Sequence, residues 1–150
     1  MKNQNVKIKI RKTDIVYIDM DGVLVQSGES REVWEKGRLV PGFFLNKEPV
    51  IDAVKSFRFL SEKCNVYILS TPVWDNVHCW SEKRIWVEKN LGESACKKLI
   101  LTHNKSLNNG HILIDDSLNH GASEFNGIHI QFATSQFPSW KNVLEQISFV

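Results

Sequence analysis

The stretch Ile15-Val16-Tyr17-Ile18-Asp19-Met20-Asp21-Gly22-Val23 decides the fold, because in it an apolar strand ends in the pattern D-x-D-G. Residues i and i+2 of an extended chain lie on one face, so Asp19 and Asp21 project together. Two carboxylates this close repel each other unless a cation lies between them or one keeps a proton. Both situations suit phosphate chemistry, whereas the structural alternative is an acidic strand end that opens a D-G turn.

Three more strand ends carry polar groups of complementary kinds, in the order hydroxyl, amine and acid. The apolar runs that precede them are Val66–Leu69, Lys98–Thr102 and His111–Ile114. Carboxyl ends of parallel strands share one edge of a sheet, which is where open α/β folds bind ligands. The groups expected to meet at that edge are Asp19, Asp21, Ser70, Thr71, Lys105, Asp115 and Asp116.

A calcium-binding EF-hand is the competing interpretation of D-x-D-G. That loop requires glycine at its sixth position and glutamate at its twelfth. Here the glycine is Gly22, at the fourth position, and Ser30 is at the twelfth. The pattern therefore excludes an EF-hand.

The composition is that of one globular domain spanning residues 1–150, with 42% hydrophobic and 24% charged residues. A net charge of +2, spread evenly, argues against nucleic acid as a partner. No apolar run reaches 18 residues and Met1–Asn5 leads into a charged segment, so we expect neither membrane insertion nor export. Cytoplasmic localisation is the resulting expectation.

The three cysteines do not form a recognisable set. Cys64, Cys79 and Cys96 are odd in number and lack C-x-x-C spacing, which indicates neither disulfides nor a zinc site. We expect ordinary buried or half-buried thiols in a reducing compartment.

Strand-like runs alternate with helical segments, which is typical of βαβ units and a parallel sheet. We expect strands at 14–19, 65–70, 98–102, 111–115 and 128–132. One helix is expected to begin at Pro49, a second to span 76–91 between an Asp75 cap and Gly92, and a third to begin at Pro138-Ser139. Their expected buried residues are Ile51, Val54, Phe57 and Leu60; Val77, Trp80, Trp86 and Val87; and Trp140, Val143, Leu144 and Ile147.

Residues 23–48 lack sustained periodicity and follow the D-x-D directly, which predicts a flap or reduced cap over the acids. The segment contains glycines, charges and the aromatic residues Trp34, Phe43 and Phe44. Together with Trp74, these are candidates for contact with a substrate. Three arrangements remain open: the aromatic residues close over a small substrate, a neighbouring subunit of a homo-oligomer covers the site, or the site stays open. We favour an open to partly covered site.

The predicted cluster has the parts of a metal-assisted phosphatase. A phosphate would be repelled by the acids unless a divalent cation intervened, and oxygen ligands with water are typical of Mg²⁺. Asp19 is the expected nucleophile, which would form an aspartyl-phosphate, and Asp21 the expected acid/base. Lys105, with Ser70 and Thr71, would hold the phosphoryl oxygens.

The order D-x-D-G-V, S-T, K and I-D-D resembles the haloacid dehalogenase superfamily of aspartate-nucleophile phosphatases. The closer resemblance is to the 5′(3′)-deoxyribonucleotidases, through residues 19–24, 70–72, 82–89, 101–105 and 113–116. It extends from about Asp14 to Ser148 and implies a three-layer α/β/α core with a central parallel sheet. It also implies that the substrate is a nucleoside monophosphate.

The same resemblance assigns roles to individual residues. It implies that Asp19, Asp116 and the backbone carbonyl of Asp21 bind the metal, with Asp115 acting through water or Lys105. It implies phosphate contacts from Ser70, Thr71 and Lys105. The sequence departs from the family pattern in two ways. A short segment replaces the larger helical cap, and Ser117 follows the D-D pair where those enzymes often have a basic residue.

Two alternatives keep parts of this chemistry. A sugar phosphate or a phosphate on a macromolecule could be the substrate of the same phosphatase. A phospho-accepting receiver module also uses clustered Asp, Ser or Thr, Lys and Mg²⁺. In a receiver the lysine comes last, whereas Lys105 precedes Asp115 and Asp116 here. This order favours the enzyme.

Overall fold

The structure is a computed structural model that describes residues 6–150; Met1–Asn5, part of the segment used above to argue against export, lie outside the described residues. Its strands are β1 (Ile8–Ile10), β2 (Ile15–Ile18), β3 (Asn65–Ser70), β4 (Leu99–Leu101), β5 (Ile112–Asp115), β6 (Ile128–Gln131) and β7 (Ile147–Phe149). Its helices are α1 (Arg31–Gly37), α2 (Ala53–Lys63), α3 (His78–Leu91) and α4 (Trp140–Gln146).

The central sheet has five parallel strands in the order β4-β3-β2-β5-β6. Ile18 at the end of β2 is in register with Ile68 on β3 and with Ile114 on β5. The predicted α/β class and parallel sheet are confirmed, and each predicted strand is found within one residue at either end. The register aligns the strand ends that precede the acidic and hydroxyl residues.

Alternate residues of the strands enter two apolar clusters. Val16, Ile18, Ile68, Ile112 and Ile114 pack on the face that α2, α3 and α4 cover. The opposite face holds a smaller cluster to which the short 3₁₀ segment Ala122–Glu124 contributes Ala122. Because the central strands are buried on both faces, they are nearly continuous apolar runs.

Helix α2 begins at Ala53, so the expected start at Pro49 is wrong. Asp52 has a left-handed backbone (φ 66°), and this conformation separates the helix from the turn before it. Ile51 is therefore 80% exposed and does not join the apolar stripe, whereas Phe57 and Leu60 are fully buried as expected. Val54 is partly buried against the same core.

Helix α3 begins at His78 rather than at 76, and its first turn is held by Asn76, whose Oδ1 accepts a hydrogen bond from the His78 amide. The expected Asp75 cap is therefore wrong, and Val77 is 74% exposed rather than buried. Trp86 and Val87 are core residues as expected, and Trp80 is half-buried. The helix ends at Gly92, which has the predicted terminating role with φ 63°.

The chain ends add an element that the sequence did not predict. Strands β1 and β7, of three residues each, pair in parallel beside the main sheet. Ile147 begins β7 instead of continuing α4, although it is buried as expected. Cys64 and Cys79 are buried, but Cys96 is exposed and does not fit the expectation of a buried thiol.

The predicted flap is shorter than 23–48, because Val23, Leu24 and Val25 belong to the core. The flap leaves the core at Gln26, whose backbone amide donates a hydrogen bond to the carbonyl of Glu48. Helix α1, of seven residues, lies within the flap. Nothing in the described part of the chain forms a helix that is long and apolar enough to cross a membrane.

Candidate active site

The carboxyl edge of the sheet bears a pocket of about 210 Å³. Asp19 follows β2 and its amide donates to the carbonyl of Ile114 on β5, which fixes the first acid against the neighbouring strand. Asp115 is the last residue of β5, and Thr71 follows β3. The lining residues are Asp19, Asp21, Ser27, Trp34, Thr71, Lys105, Asp115, Asp116, Ser117, Asn119 and His120.

Lys105 joins the acids of two strands. Its buried Nζ lies 2.9 Å from Oδ1 of Asp19 and 2.5 Å from Oδ2 of Asp115. The two carboxylates raise the pKa of Lys105 against the opposing effect of burial, so the ammonium form is retained. The second oxygen of Asp115, Oδ1, accepts a hydrogen bond of 2.9 Å from the backbone amide of Ser117. The expected contact between Asp115 and Lys105 is thus present.

Asp21 lies at the rim of the pocket with a different lysine as its partner. Its Oδ2 is 2.7 Å from Nζ of Lys83, which lies on α3. The two acids of the D-x-D are therefore paired with two separate ammonium groups. This separation gives the acids different surroundings although they are two residues apart.

The two predicted hydroxyl groups take different positions. Thr71 lines the pocket, and its Oγ1 is buried without a hydrogen-bond partner among the described residues. An unpaired buried hydroxyl is costly, which suits a group that a ligand will satisfy. Ser70 is buried behind this wall, where its hydroxyl accepts a hydrogen bond of 2.9 Å from Lys83. Its phosphate contact remains a prediction.

A metal ion fits the acids that meet here. One carboxylate oxygen from each of Asp19, Asp115 and Asp116 lies within 4.8 Å of the others. Gly22 leaves the space for this arrangement, since a Cβ at Gly22 would lie 2.1 Å from Oδ2 of Asp116. When ionised, Asp19, Asp115 and Asp116 carry three negative charges, and Lys105 offsets one of them, which leaves two, the complement of a divalent cation.

The protonation of these acids supports the same fit. Burial, with the charge of Asp115, raises the pKa of Asp116 to about 6. Burial also raises the pKa of Asp19 well above its usual value, with Asp115 and Asp21 adding to the effect and Lys105 opposing it. A bound cation would favour the charged forms of these carboxyls and so offset the effect of burial.

Of the four aromatic candidates, Trp34 alone is on the pocket lining in the described structure. Phe43 and Phe44 pack edge-on against it, with ring centroids 5.7 and 5.8 Å away. Trp74 is 73% exposed and contacts Trp80 and His103 instead. The flap therefore offers a substrate one aromatic side chain, supported from behind by two others.

Several residues of the site escaped the sequence argument. Lys83 could have been found, because it follows Cys79 by four residues and precedes Trp86 by three, which places a lysine within the apolar stripe of a helix. Ser27, Asn119 and His120 reach the pocket from loops, where periodicity carries no signal. The pKa of His120 is lowered by partial burial and by Lys105.

Comparison with known proteins gives a consistent picture. Residues 28–145 match the model of the family described as 5′ nucleotidase, deoxy (pyrimidine), cytosolic type C protein. This range contains the flap from residue 28 onward, Thr71, Lys105, Asp115 and Asp116.

Individual relatives extend the similarity to the D-x-D. A protein of Vibrio phage KVP40, provisionally named 5′(3′)-deoxyribonucleotidase, is 47% identical over 166 aligned positions, covering 99% of this chain and 98% of the relative. The human cytosolic-type 5′(3′)-deoxyribonucleotidase is 35% identical over 107 positions, covering 69% of this chain and 47% of the human protein. The human mitochondrial enzyme of the same name is 26% identical over 167 positions, covering 86% of this chain and 68% of its own.

Proposed function

Because the chain belongs to the deoxyribonucleotidase family within the haloacid dehalogenase superfamily, we propose that it is a Mg²⁺-dependent phosphomonoesterase acting on (deoxy)nucleoside monophosphates through an aspartyl-phosphate. The observation that carries this proposal is the convergence of Asp19, Asp21, Thr71 and Lys105 on one pocket. Family membership makes the chain a phosphoric monoester hydrolase and sets aside the receiver alternative. The relative named cytosolic type supports a cytoplasmic setting.

Asp19 would hold the ion together with Asp116 and the backbone carbonyl of Asp21, with Asp115 nearby. When bound, Mg²⁺ supplies positive charge to the phosphoryl oxygens and removes the repulsion between substrate and acids. The ammonium of Lys105 keeps Asp19 fixed and is placed to neutralise charge on the transferring group. Thr71 would donate its unpaired hydroxyl to a phosphoryl oxygen.

In the first step an oxygen of Asp19 forms a bond to phosphorus while the bond to the leaving oxygen breaks. Asp21 gives its proton to that oxygen, so the nucleoside leaves as an alcohol. In the second step water attacks phosphorus and passes a proton to Asp21. The bond between phosphorus and Asp19 breaks, which releases phosphate and restores both acids.

The size of the pocket supports broad selectivity among bases. Pockets that enclose a small-molecule ligand usually have volumes of about 300–1,000 Å³, whereas this one has about 210 Å³. We infer that it encloses the phosphate and part of the sugar, and that the base lies at the rim beside Trp34. A single aromatic contact provides stacking for every base but little discrimination between them.

A phosphatase screen with and without Mg²⁺ tests the proposal. We expect hydrolysis of deoxynucleoside monophosphates, silenced by chelation, with kcat/KM values that differ little between bases. Turnover of sugar phosphates but not of nucleotides would transfer the function to the alternative substrate class. A preference for one base above about a hundredfold, or about 2.7 kcal/mol, would show that the flap or a partner subunit builds a base pocket.

A further inference from the structure

Lys83 is a lysine in the core of the domain. It is 1% exposed, and Nζ lies 2.7 Å from Oδ2 of Asp21 and 2.9 Å from the hydroxyl of Ser70. The ring of Phe44 lies below it, with its centroid 5.2 Å from the nitrogen. The ammonium thus donates hydrogen bonds to two oxygens and makes a cation–π contact with Phe44.

The position of Lys83 is poorly explained by stability. Burying an ammonium and its carboxylate partner costs more than an apolar pair of similar volume in many proteins. Lys83 is also absent from the residues that line the pocket in the described structure, so it is not placed to grip a phosphate. Its charge is directed instead at Asp21, whose side chain is 23% exposed.

We propose that Lys83 is a positioning residue that fixes the carboxylate of Asp21 for proton transfer. It holds Oδ2, which leaves Oδ1 as the oxygen that exchanges a proton with the leaving group and then with water. The second contact, with Ser70, ties the ammonium to the end of β3. This inference rests on the proposed function, in which Asp21 is the acid/base.

The same turn of α3 also holds the flap. Glu82 precedes Lys83 and accepts hydrogen bonds from the amides of Gly42 and Phe44. The flap thereby presses the ring of Phe44 against the lysine that orients Asp21. Phe44, a candidate for substrate contact from the sequence, would act on the reaction through Lys83.

Substrates with different leaving groups separate positioning from a merely structural role. p-Nitrophenolate departs without a proton, whereas the alkoxide of a nucleoside requires one. A misaligned acid therefore penalises only the nucleotide in the first step, which is the step that kcat/KM reports, although Asp21 serves both substrates in the second step. We expect Lys83→Met to lower kcat/KM for a deoxynucleoside monophosphate at least about tenfold more than for p-nitrophenyl phosphate, within the range of general-acid effects. Lys89→Met, the same change at an exposed position of α3, is the control.

A double-mutant cycle with Asp21→Asn completes the test. If Lys83 acts through Asp21, adding Lys83→Met to Asp21→Asn should change kcat/KM by less than about twofold, the usual scatter of independent effects. Circular dichroism and thermal unfolding verify folding, and Lys83→Gln, which keeps a donor, replaces Lys83→Met if that variant does not fold.

The possible failures are distinguishable. Equal losses on both substrates, or full additivity with Asp21→Asn, would overturn the inference while leaving the phosphatase in place. A wild-type protein inactive on both substrates would overturn the proposed function and this inference with it.

Discussion

The carboxylate of Asp116 occupies the space that a side chain on Gly22 would need. A Cβ built on Gly22 would lie 2.1 Å from Oδ2 of Asp116, and the backbone of Gly22 has a φ of 84°. The glycine of the D-x-D-G pattern is therefore required both by its own turn and by an acid that follows another strand.

Gly22→Ala should displace Asp116 and weaken Mg²⁺ binding by about 10- to 100-fold, as is usual when the support of a metal ligand is lost. Isothermal titration with Mg²⁺ measures the change. Gly28→Ala is the control, because no atom lies within 4 Å of a Cβ at Gly28. Equal Mg²⁺ affinity in the Gly22→Ala variant would show that Asp116 is not a ligand.

Asp19→Asn should reduce turnover to background, because an amide is a far poorer nucleophile than a carboxylate. Its fold should be kept, since the hydrogen bond from the residue 19 amide to Ile114 is retained. Asp21→Asn should instead slow the reaction by about 10²- to 10⁴-fold. Steady-state rates on protein free of host phosphatases decide this, and wild-type activity in Asp19→Asn would exclude the mechanism.

Glu82→Gln should loosen the flap, because the two backbone amides of Gly42 and Phe44 would lose an ionic acceptor. We expect KM for nucleotides to rise several-fold. The free energy of one charge-assisted hydrogen bond sets the upper limit of this effect. Limited proteolysis should cut residues 28–47 faster than in the wild type. Glu88→Gln, at an exposed position of the same helix, is the control; a proteolysis rate unchanged by Glu82→Gln would argue against this clamp.

We expect the stability of the domain to depend on pH through Asp14. The backbone amide of Arg11, 2.9 Å from Oδ2, lowers the pKa of Asp14 below its usual 3.8, with the Arg11 guanidinium and His111 contributing. Since the folded carboxyl binds its proton less tightly than the unfolded one, its stabilisation is present above pH 3.8 and is lost as the pH falls further.

Asp14→Asn should thus lower the Tm at pH 7, and its difference from wild type should shrink below pH 4. Thermal unfolding from pH 2.5 to 7 measures both, with the exposed Asp75→Asn as control. A Tm difference that is constant across this range would assign the effect to packing.

The sequence predicted those parts of the molecule in which one local pattern and one topological rule suffice. Apolar runs located the five strands, and the shared edge of parallel strands brought Asp19, Thr71, Lys105 and Asp115 together. The pairing of β1 with β7 was missed because each has only three residues and their contact spans almost the whole chain. The start of α2 was missed because it depends on the left-handed Asp52, a residue type without an obligate turn conformation.

Side-chain partnerships were the least predictable feature. The contact between Lys83 and Asp21 spans 62 positions and joins a helix to a strand end. Likewise, Phe43 and Phe44 are aromatic residues of the kind that bind a base, yet both pack against Trp34 instead. This packing depends on the conformation of the flap, which the sequence pattern did not predict.

The position of β2 at the centre of the sheet has a consequence for how the molecule fluctuates. Backbone amides of β2 and β5 are protected by strands on both sides, so we expect their hydrogens to exchange with solvent mainly through unfolding of the whole domain. The flap is tethered at its neck and contains one short helix without a buried residue, so its amides exchange through local opening. We therefore expect substrate entry to use a segment that opens locally while the reacting groups stay fixed at the ends of central strands.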